Sequence, residues 1–124
     1  MPKKILFIED ESSLQKTFGD MFTHEGYEMF SALDGQTGLR LAKDKKPDLI
    51  LLDLILPVLR GLDVLKSLKE DPATKEIPVI ILTNLEDMEN VEKALSLGAM
   101  TYLVKATYTL EELLEKIKQI LGNP

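Results

Sequence analysis

Short apolar runs alternate along the chain with longer segments in which apolar residues recur at helical spacing. The runs predict five strands, at residues 4–8, 27–32, 49–53, 79–83 and 101–104. The segments between and after them predict five helices, at about residues 12–25, 35–45, 62–68, 88–97 and 110–121. Regular alternation of strands and helices is typical of repeated βα units around a parallel sheet.

The polarity of each segment indicates its place in such a sheet. The run 49–53 is almost purely aliphatic, as in a strand that is covered on both faces. The run 27–32 contains polar residues and is predicted to be a less buried edge strand. Ser12 or Ser13 is the expected N-cap of the first helix, and Thr109 is the expected N-cap of the last.

The composition fits a single domain that spans residues 1–124. Of these residues 44% are hydrophobic and 29% are charged, as is usual for a globular protein. The net charge of −6 argues against a nucleic-acid surface, since phosphate backbones attract basic stripes. The lack of cysteine excludes disulfides, thiolate metal sites and thiol nucleophiles. We find no signal-peptide pattern and no apolar run of membrane-spanning length, so we expect a cytoplasmic protein.

Side chains that can do chemistry follow four of the predicted strands. Glu9 and Asp10 close the first strand, Asp53 the third, Thr83 the fourth and Lys105 the fifth. Because the carboxyl ends of parallel strands point the same way, we expect these side chains to lie close together. The sequence therefore predicts a pocket of carboxylates, one hydroxyl and one amine at a single edge of the sheet.

These residue types suit magnesium binding and phosphoryl transfer. Two carboxylates held close together repel by roughly 4 kcal/mol at an effective dielectric constant near 20. Mg²⁺ relieves this repulsion, because it prefers oxygen ligands and binds through one or two carboxylates. Asp53 is then a candidate nucleophile toward phosphorus, since aspartate carboxylates form acyl phosphates. Lys105 and the Thr83 hydroxyl would stabilise the charge on the transferred group.

Four stretches of the chain resemble the receiver domain of two-component response regulators. They are residues 8–11, 47–57, 78–83 and 98–105, and Gly61 agrees with the same pattern. Their order and separation extend the resemblance along essentially the whole chain. The resemblance implies an α/β fold of the flavodoxin-like (βα)5 type, a doubly wound parallel sheet with strand order 2-1-3-4-5.

The resemblance also implies how the acidic residues are used. Asp53 would accept a phosphoryl group from a histidine kinase or a histidine phosphotransfer protein. Asp10, Asp53 and the backbone carbonyl of Ile55 would bind Mg²⁺ directly, with Glu9 acting through water. The domain would catalyse its own phosphorylation and dephosphorylation, and would be a signalling switch rather than an enzyme.

The remaining pocket residues are implied to take part in switching. Lys105 would contact the phosphoryl group, and Thr83 with Tyr102 would form the switch pair. Phosphorylation would then change a surface made of the fourth helix, the fifth strand and the fifth helix, where a downstream protein binds. The protein would be a monomer or a phosphorylation-dependent dimer, without direct contact to nucleic acid or membrane.

Two stretches depart from the receiver pattern. Receivers usually have proline after the lysine, whereas Ala106 follows Lys105 here. A non-proline cis bond costs about 2.5–4 kcal/mol, so the sequence leaves open whether this bond is cis or trans, and a trans bond would place the lysine differently. Residues 58–60 also differ from the family pattern, which bears on kinase docking more than on chemistry.

Three other functions share parts of this pattern. A small phosphatase or phosphotransferase with an aspartate nucleophile would need a second acid two residues after Asp53, where Ile55 lies. A degenerate receiver would be an interaction module that is never phosphorylated; the intact acidic set weighs against this alternative, and Ala106 leaves room for it. A flavin-binding module of the same topology would need a phosphate loop after the first strand, where residues 9–11 are all acidic.

Overall fold

Five strands form one parallel sheet in the computed structural model, which describes residues 2–122. In chain order the strands are β1 (Lys4–Ile8), β2 (Glu28–Ala32), β3 (Leu49–Leu52), β4 (Val79–Thr83) and β5 (Thr101–Val104). They lie side by side in the order β2-β1-β3-β4-β5, and every neighbouring pair is parallel. The predicted sheet and its strand order are confirmed.

Each strand is followed by a helix that packs against the sheet. The helices are α1 (Ser12–His24), α2 (Gly35–Lys45), α3 (Gly61–Glu70), α4 (Met88–Ser96) and α5 (Leu110–Leu121). All five predicted helices are present, whereas the turn of 3₁₀ helix at Lys105–Thr107 is absent from the sequence prediction. Within the described part of the chain, none of the helices has the length and apolar character of a membrane span.

The two N-caps predicted from the sequence have different outcomes. Thr109 caps α5 as predicted, because its hydroxyl accepts a hydrogen bond from the N–H three residues later at 3.1 Å. The prediction for α1 is wrong, since Ser12 and Ser13 both lie inside the helix and Glu11 occupies the N-cap. The Glu11 N–H donates to the Glu9 carboxylate at 3.2 Å, and this short turn starts the helix directly at residue 12.

The helices cover both faces of the sheet and bury two apolar layers. One layer joins α2, α3 and α4 to strand residues such as Ile8 and Leu52. The other layer joins α1 and α5 to the alternate strand residues, such as Phe7 and Leu51. Burial on both faces explains why β1 and β3 are continuous apolar runs. β2 lies at the edge and is partly exposed, as its polar residues predict.

Candidate functional site

The register of the strands brings distant acidic residues to one edge of the sheet. Ile8 of β1 pairs with Leu52 of β3, so Glu9 and Asp53 follow at the same level of two adjacent strands. The Asp53 N–H donates to the Ile8 carbonyl at 3.0 Å, which extends the pairing to the acid itself. Parallel pairing alone therefore places these two carboxylates side by side.

Three carboxylates and one amine meet at this edge. One carboxylate oxygen from each of Glu9, Asp10 and Asp53 lies within 4.8 Å of the others. Glu9 and Asp53 are buried, at 1% and 4% exposure, whereas Asp10 is exposed. The Lys105 ammonium donates to the Asp53 carboxylate at 2.9 Å and also to the carboxylate of Glu9. The structure thus brings together the four charged residues that the sequence predicts for the pocket.

Burial and ion pairing act against each other in this pocket. Burial raises the pKa of Glu9 to about 7, with Lys105 working against the rise and Asp53 adding to it. Burial also acts to lower the pKa of Lys105, but its hydrogen bonds to Glu9 and Asp53 more than compensate and raise it. The amine therefore keeps its charge, and Glu9 is protonated more readily than an exposed glutamate.

Lys105 reaches both acids from the end of β5. No cis peptide bond occurs within residues 2–122, so the Lys105–Ala106 peptide is trans. The ammonium nevertheless pairs with both Glu9 and Asp53. Alanine in place of the usual proline is therefore compatible with a lysine that contacts the candidate phosphoacceptor.

The loop after β3 wraps closely around Asp53. The Ile55 N–H donates to the Asp53 carboxylate at 3.2 Å. The role of the Ile55 carbonyl as a metal ligand stays a prediction. Further along the loop, the Gly61 N–H donates to the Leu54 carbonyl at 3.0 Å. A Cβ at Gly61 would lie 2.4 Å from the Asp53 carbonyl oxygen, so this close approach requires glycine.

The same loop contains a strained turn at Val58. The Leu59 N–H donates to the Pro57 carbonyl at 2.8 Å, and Val58 between them has a φ of 71°. A γ-turn with positive φ is rare and strained, most of all for a β-branched residue. The Val58 side chain is 79% exposed, so its packing offsets little of this strain. The departure of residues 58–60 from the receiver pattern thus coincides with an unusual backbone.

Thr83 and Tyr102 are connected through a single residue, Leu85. Thr83 ends β4 and is fully buried, and its hydroxyl accepts from the Leu85 N–H over a long 3.5 Å. The Tyr102 hydroxyl donates to the Leu85 carbonyl at 2.7 Å. Burial raises the pKa of Tyr102, and the charges of Asp87 and Asp53 add to the rise. Thr83 and Tyr102 thus contact the same residue, and their role as a switch pair stays a prediction.

Sequence reasoning missed one polar residue of the site, Gln15 of α1. Its amide nitrogen lies 2.8, 3.0 and 3.0 Å from the carbonyl oxygens of Phe7, Glu9 and Ala32, which share its two N–H donors. The available signal is its position, because Gln15 lies three residues before Phe18 on the buried face of α1. A polar side chain on an apolar helix face indicates hydrogen bonds inside the core.

The donor set of the pocket fits Mg²⁺. Glu9, Asp10 and Asp53 offer only carboxylate oxygens, the hard ligands that this ion prefers. The exposed position of Asp10 leaves one side of the pocket open to water, and Mg²⁺ usually keeps several water ligands. The side chains present therefore suit a magnesium site.

Comparison with known proteins gives consistent matches along the chain. A family model described as the response regulator receiver domain matches residues 5–118. The polar-differentiation response regulator DivK from Brucella anthropi is 35% identical over 123 residues, which cover 99% of this chain and 99% of DivK. The response regulator ArlR from Staphylococcus aureus is 38% identical over 118 residues, which cover 95% of this chain but only 52% of ArlR. The chain thus spans nearly all of one relative and about half of the other.

A solved structure adds a similar fold that contains a metal ion. The receiver domain of the sensor histidine kinase PA1611 from Pseudomonas aeruginosa matches with a TM-score of 0.87 and 28% sequence identity. The match covers 98% of this chain and 99% of that one. In that crystal structure a magnesium ion is coordinated in the active site cleft. The sequence comparisons and the structure comparison therefore point to the same kind of domain.

Proposed function

The chain belongs to the receiver domain family of two-component response regulators, and we propose that Asp53 is its phosphoacceptor. The function of this family is phosphoacceptor signalling. The observation that carries the assignment is the position of the Asp53 carboxylate, next to the Lys105 ammonium and two further carboxylates. We take residues 1–124 as one receiver domain, since the family match covers nearly all of them.

Phosphoryl transfer to Asp53 requires little beyond positioning and charge. A carboxylate oxygen of Asp53 would bond to phosphorus as the nitrogen–phosphorus bond of a donor phosphohistidine breaks. The donor imidazole would leave and take up a proton from water. Lys105, 2.9 Å from the Asp53 carboxylate, is placed to neutralise charge on the transferred group. Thr83, at the end of the strand beside β3, would donate a hydrogen bond from its hydroxyl to a phosphoryl oxygen.

Magnesium is the cofactor that the acidic cluster fits. Receiver domains bind Mg²⁺ at an acidic pocket, and the receiver structure from Pseudomonas aeruginosa contains the ion in its active site cleft. In this chain Asp10, Asp53 and the Ile55 carbonyl would hold the ion directly, and Glu9 would act through water. The bound ion would supply positive charge beside the phosphoryl oxygens. Lys105, which follows β5, would supply a second positive charge beside Asp53.

Receiver domains act on other proteins, and two contacts are proposed here. The phosphoryl donor would be a histidine kinase or a histidine phosphotransfer protein. Movement of Thr83 toward the phosphoryl group would release the Leu85 N–H, and Tyr102, bonded to the same residue, would respond. A downstream protein would sense this change on the surface formed by α4, β5 and α5. The domain would work as a monomer or a phosphorylation-dependent dimer, without direct binding to nucleic acid or membrane.

The family consists of signalling switches rather than enzymes in the usual sense. We propose that this domain catalyses only its own phosphorylation and dephosphorylation, and that it does so in the cytoplasm. An aspartate-dependent phosphatase or phosphotransferase is disfavoured, because Ile55 lies where such enzymes need a second acid. A degenerate, non-phosphorylated receiver is disfavoured by the complete set of Glu9, Asp10, Asp53 and Lys105 in one pocket.

Chemical phosphorylation tests the assignment of Asp53. Incubation with acetyl phosphate and Mg²⁺ should add one phosphoryl group to the wild-type protein, as measured by intact-protein mass spectrometry. Asp53→Asn should abolish the adduct, because the amide cannot form an acyl phosphate. EDTA should suppress the adduct on the wild-type protein, because the negative charges of the pocket then lack their metal counter-ion.

Asp63→Asn is the matched control for the loss of an acid. Asp63 lies on α3 and is exposed, so its substitution should leave the adduct at the wild-type level. The assignment fails if the wild-type protein gains no adduct. It also fails if Asp53→Asn gains as much adduct as the wild type.

A further inference from the structure

Gln15 is a buried amide of α1 whose contacts lie at the acidic end of the sheet. Gln15 is 7% exposed, and its amide nitrogen is within hydrogen-bond distance of the carbonyls of Phe7, Glu9 and Ala32, which share its two N–H donors. We propose that Gln15 is a positioning residue for magnesium: it fixes the backbone of Glu9 and, through it, the turn that carries Asp10. This inference rests on the proposed magnesium site.

Burying the polar side chain of Gln15 costs free energy that an apolar side chain in the same place would not. The buried face of α1 is otherwise formed by Phe18 and Phe22, so leucine or methionine would continue the apolar stripe. The side-chain oxygen of Gln15 is buried and has no hydrogen-bond partner within residues 2–122. A buried polar atom without a partner costs about 1–3 kcal/mol. The hydrogen bonds of the amide nitrogen must offset this cost.

These hydrogen bonds extend the strand pairing up to the acidic residues. Regular pairing of β1 with β2 ends where Ile8 meets Ala32, one residue before Glu9. The Glu9 N–H donates to the Ala32 carbonyl at 2.9 Å, and Gln15 donates both to that carbonyl and to the carbonyl of Glu9. Both main-chain groups of Glu9 are thereby fixed. Asp10, the exposed residue proposed to bind the metal, follows this anchored residue directly in the chain.

Loss of the amide should therefore weaken magnesium binding while the overall fold is kept. Gln15→Met keeps a side chain of similar length but removes the two N–H donors that the three carbonyls share. Groups that orient metal ligands typically change metal affinity by about 10–100-fold when they are substituted. We expect the dissociation constant for Mg²⁺ to rise by about tenfold in Gln15→Met, near the lower end of that range.

Thr74→Val is a matched control for the loss of a buried hydrogen bond. Thr74 is 1% exposed, and its hydroxyl donates to the Leu68 carbonyl at 2.7 Å. It lies between α3 and β4, at the end of the sheet opposite to the acids. Both variants should unfold at lower temperature than the wild type, but only Gln15→Met should bind Mg²⁺ more weakly.

Isothermal titration with magnesium chloride, below the unfolding temperature of every variant, separates the outcomes. The inference is overturned if Gln15→Met binds Mg²⁺ within twofold of the wild type, or if Thr74→Val is weakened equally. If Gln15→Met does not fold, Gln15→Leu gives the same comparison. A wild-type protein that binds no Mg²⁺ would overturn the proposed metal site as well, which distinguishes failure of that site from failure of this inference.

Discussion

Removal of the exposed acid in the pocket should stabilise the metal-free protein. With all groups ionised, the carboxylates of Glu9, Asp10 and Asp53 outweigh the Lys105 ammonium, so the pocket has excess negative charge. Asp10→Ala removes one carboxylate and leaves the buried ion pairs of Lys105 in place. Like-charge repulsion at functional sites lowers stability, and its relief commonly raises the melting temperature.

The spacing of the charges sets the size of this effect. Two unit charges 4.8 Å apart interact by about 3.5 kcal/mol at a dielectric constant of about 20, and by about 0.9 kcal/mol in water. Asp10 is exposed, so its interactions lie near the aqueous value, and attraction to Lys105 cancels part of its repulsion. We therefore expect a gain of about 1 kcal/mol, which corresponds to a rise in Tm of about 3–5 °C.

Thermal unfolding followed by circular dichroism measures the shift, at low salt with EDTA and at about pH 8, where Glu9 is ionised. Asp20→Ala is the matched control, because it removes an exposed acid from α1 together with its pair to Lys16. Its Tm should stay constant or fall slightly. Saturating Mg²⁺ should favour the wild type, which binds the ion more tightly. A Tm of Asp10→Ala at or below the wild-type value in EDTA would refute the repulsion argument.

Three further changes test other parts of the site. The pKa of Glu9 is raised from 4.5 to about 7, so its protonated form stabilises the metal-free fold fully below pH 4.5, and this stability is lost as pH rises through about 7. Glu9→Gln should flatten that part of a urea-unfolding pH profile, and an unchanged slope would contradict the assignment. Gly61→Ala should lower the free energy of unfolding by about 2 kcal/mol and reduce the phosphoryl adduct on Asp53, because its Cβ would overlap the Asp53 carbonyl oxygen. A variant as stable as the wild type would refute the close approach. Val58→Gly should raise the free energy of unfolding by about 1 kcal/mol, since glycine adopts positive φ freely; an unchanged urea midpoint would show that the turn is unstrained.

The sequence predicted the charged residues of the pocket because they stand at the ends of clear apolar runs. Glu9, Asp53 and Lys105 each follow a strand of the predicted sheet, and parallel topology then places them at one edge. The roles of these residues needed more than topology, because a strand-end acid alone is compatible with a simple loop cap. The contacts among these residues in the structure add the evidence that topology lacks, because they place the acids and the lysine in one pocket.

Features that depend on contacts across the sheet could not be predicted from local patterns. Gln15 makes its hydrogen bonds to carbonyls of β1 and the end of β2, which lie far apart from each other in the sequence. The turn at Val58 contradicts the conformational preference of valine, in a loop whose end is fixed by the approach of Gly61 to Asp53. The N-cap at Glu11 likewise follows from the buried position of Glu9 rather than from capping preference.

Leu85 provides two adjacent spectroscopic probes of the site. Its N–H faces the Thr83 hydroxyl at 3.5 Å, and its carbonyl, which shares a peptide plane with the Glu86 N–H, accepts from Tyr102 at 2.7 Å. Amide resonance frequencies depend on hydrogen bonding within their own peptide group. In a ¹⁵N-labelled sample, the Leu85 cross-peak would therefore shift when the hydrogen bond to Thr83 changes. The Glu86 cross-peak would shift when the hydrogen bond from Tyr102 changes. The order in which these two cross-peaks shift is measurable in the unmutated protein.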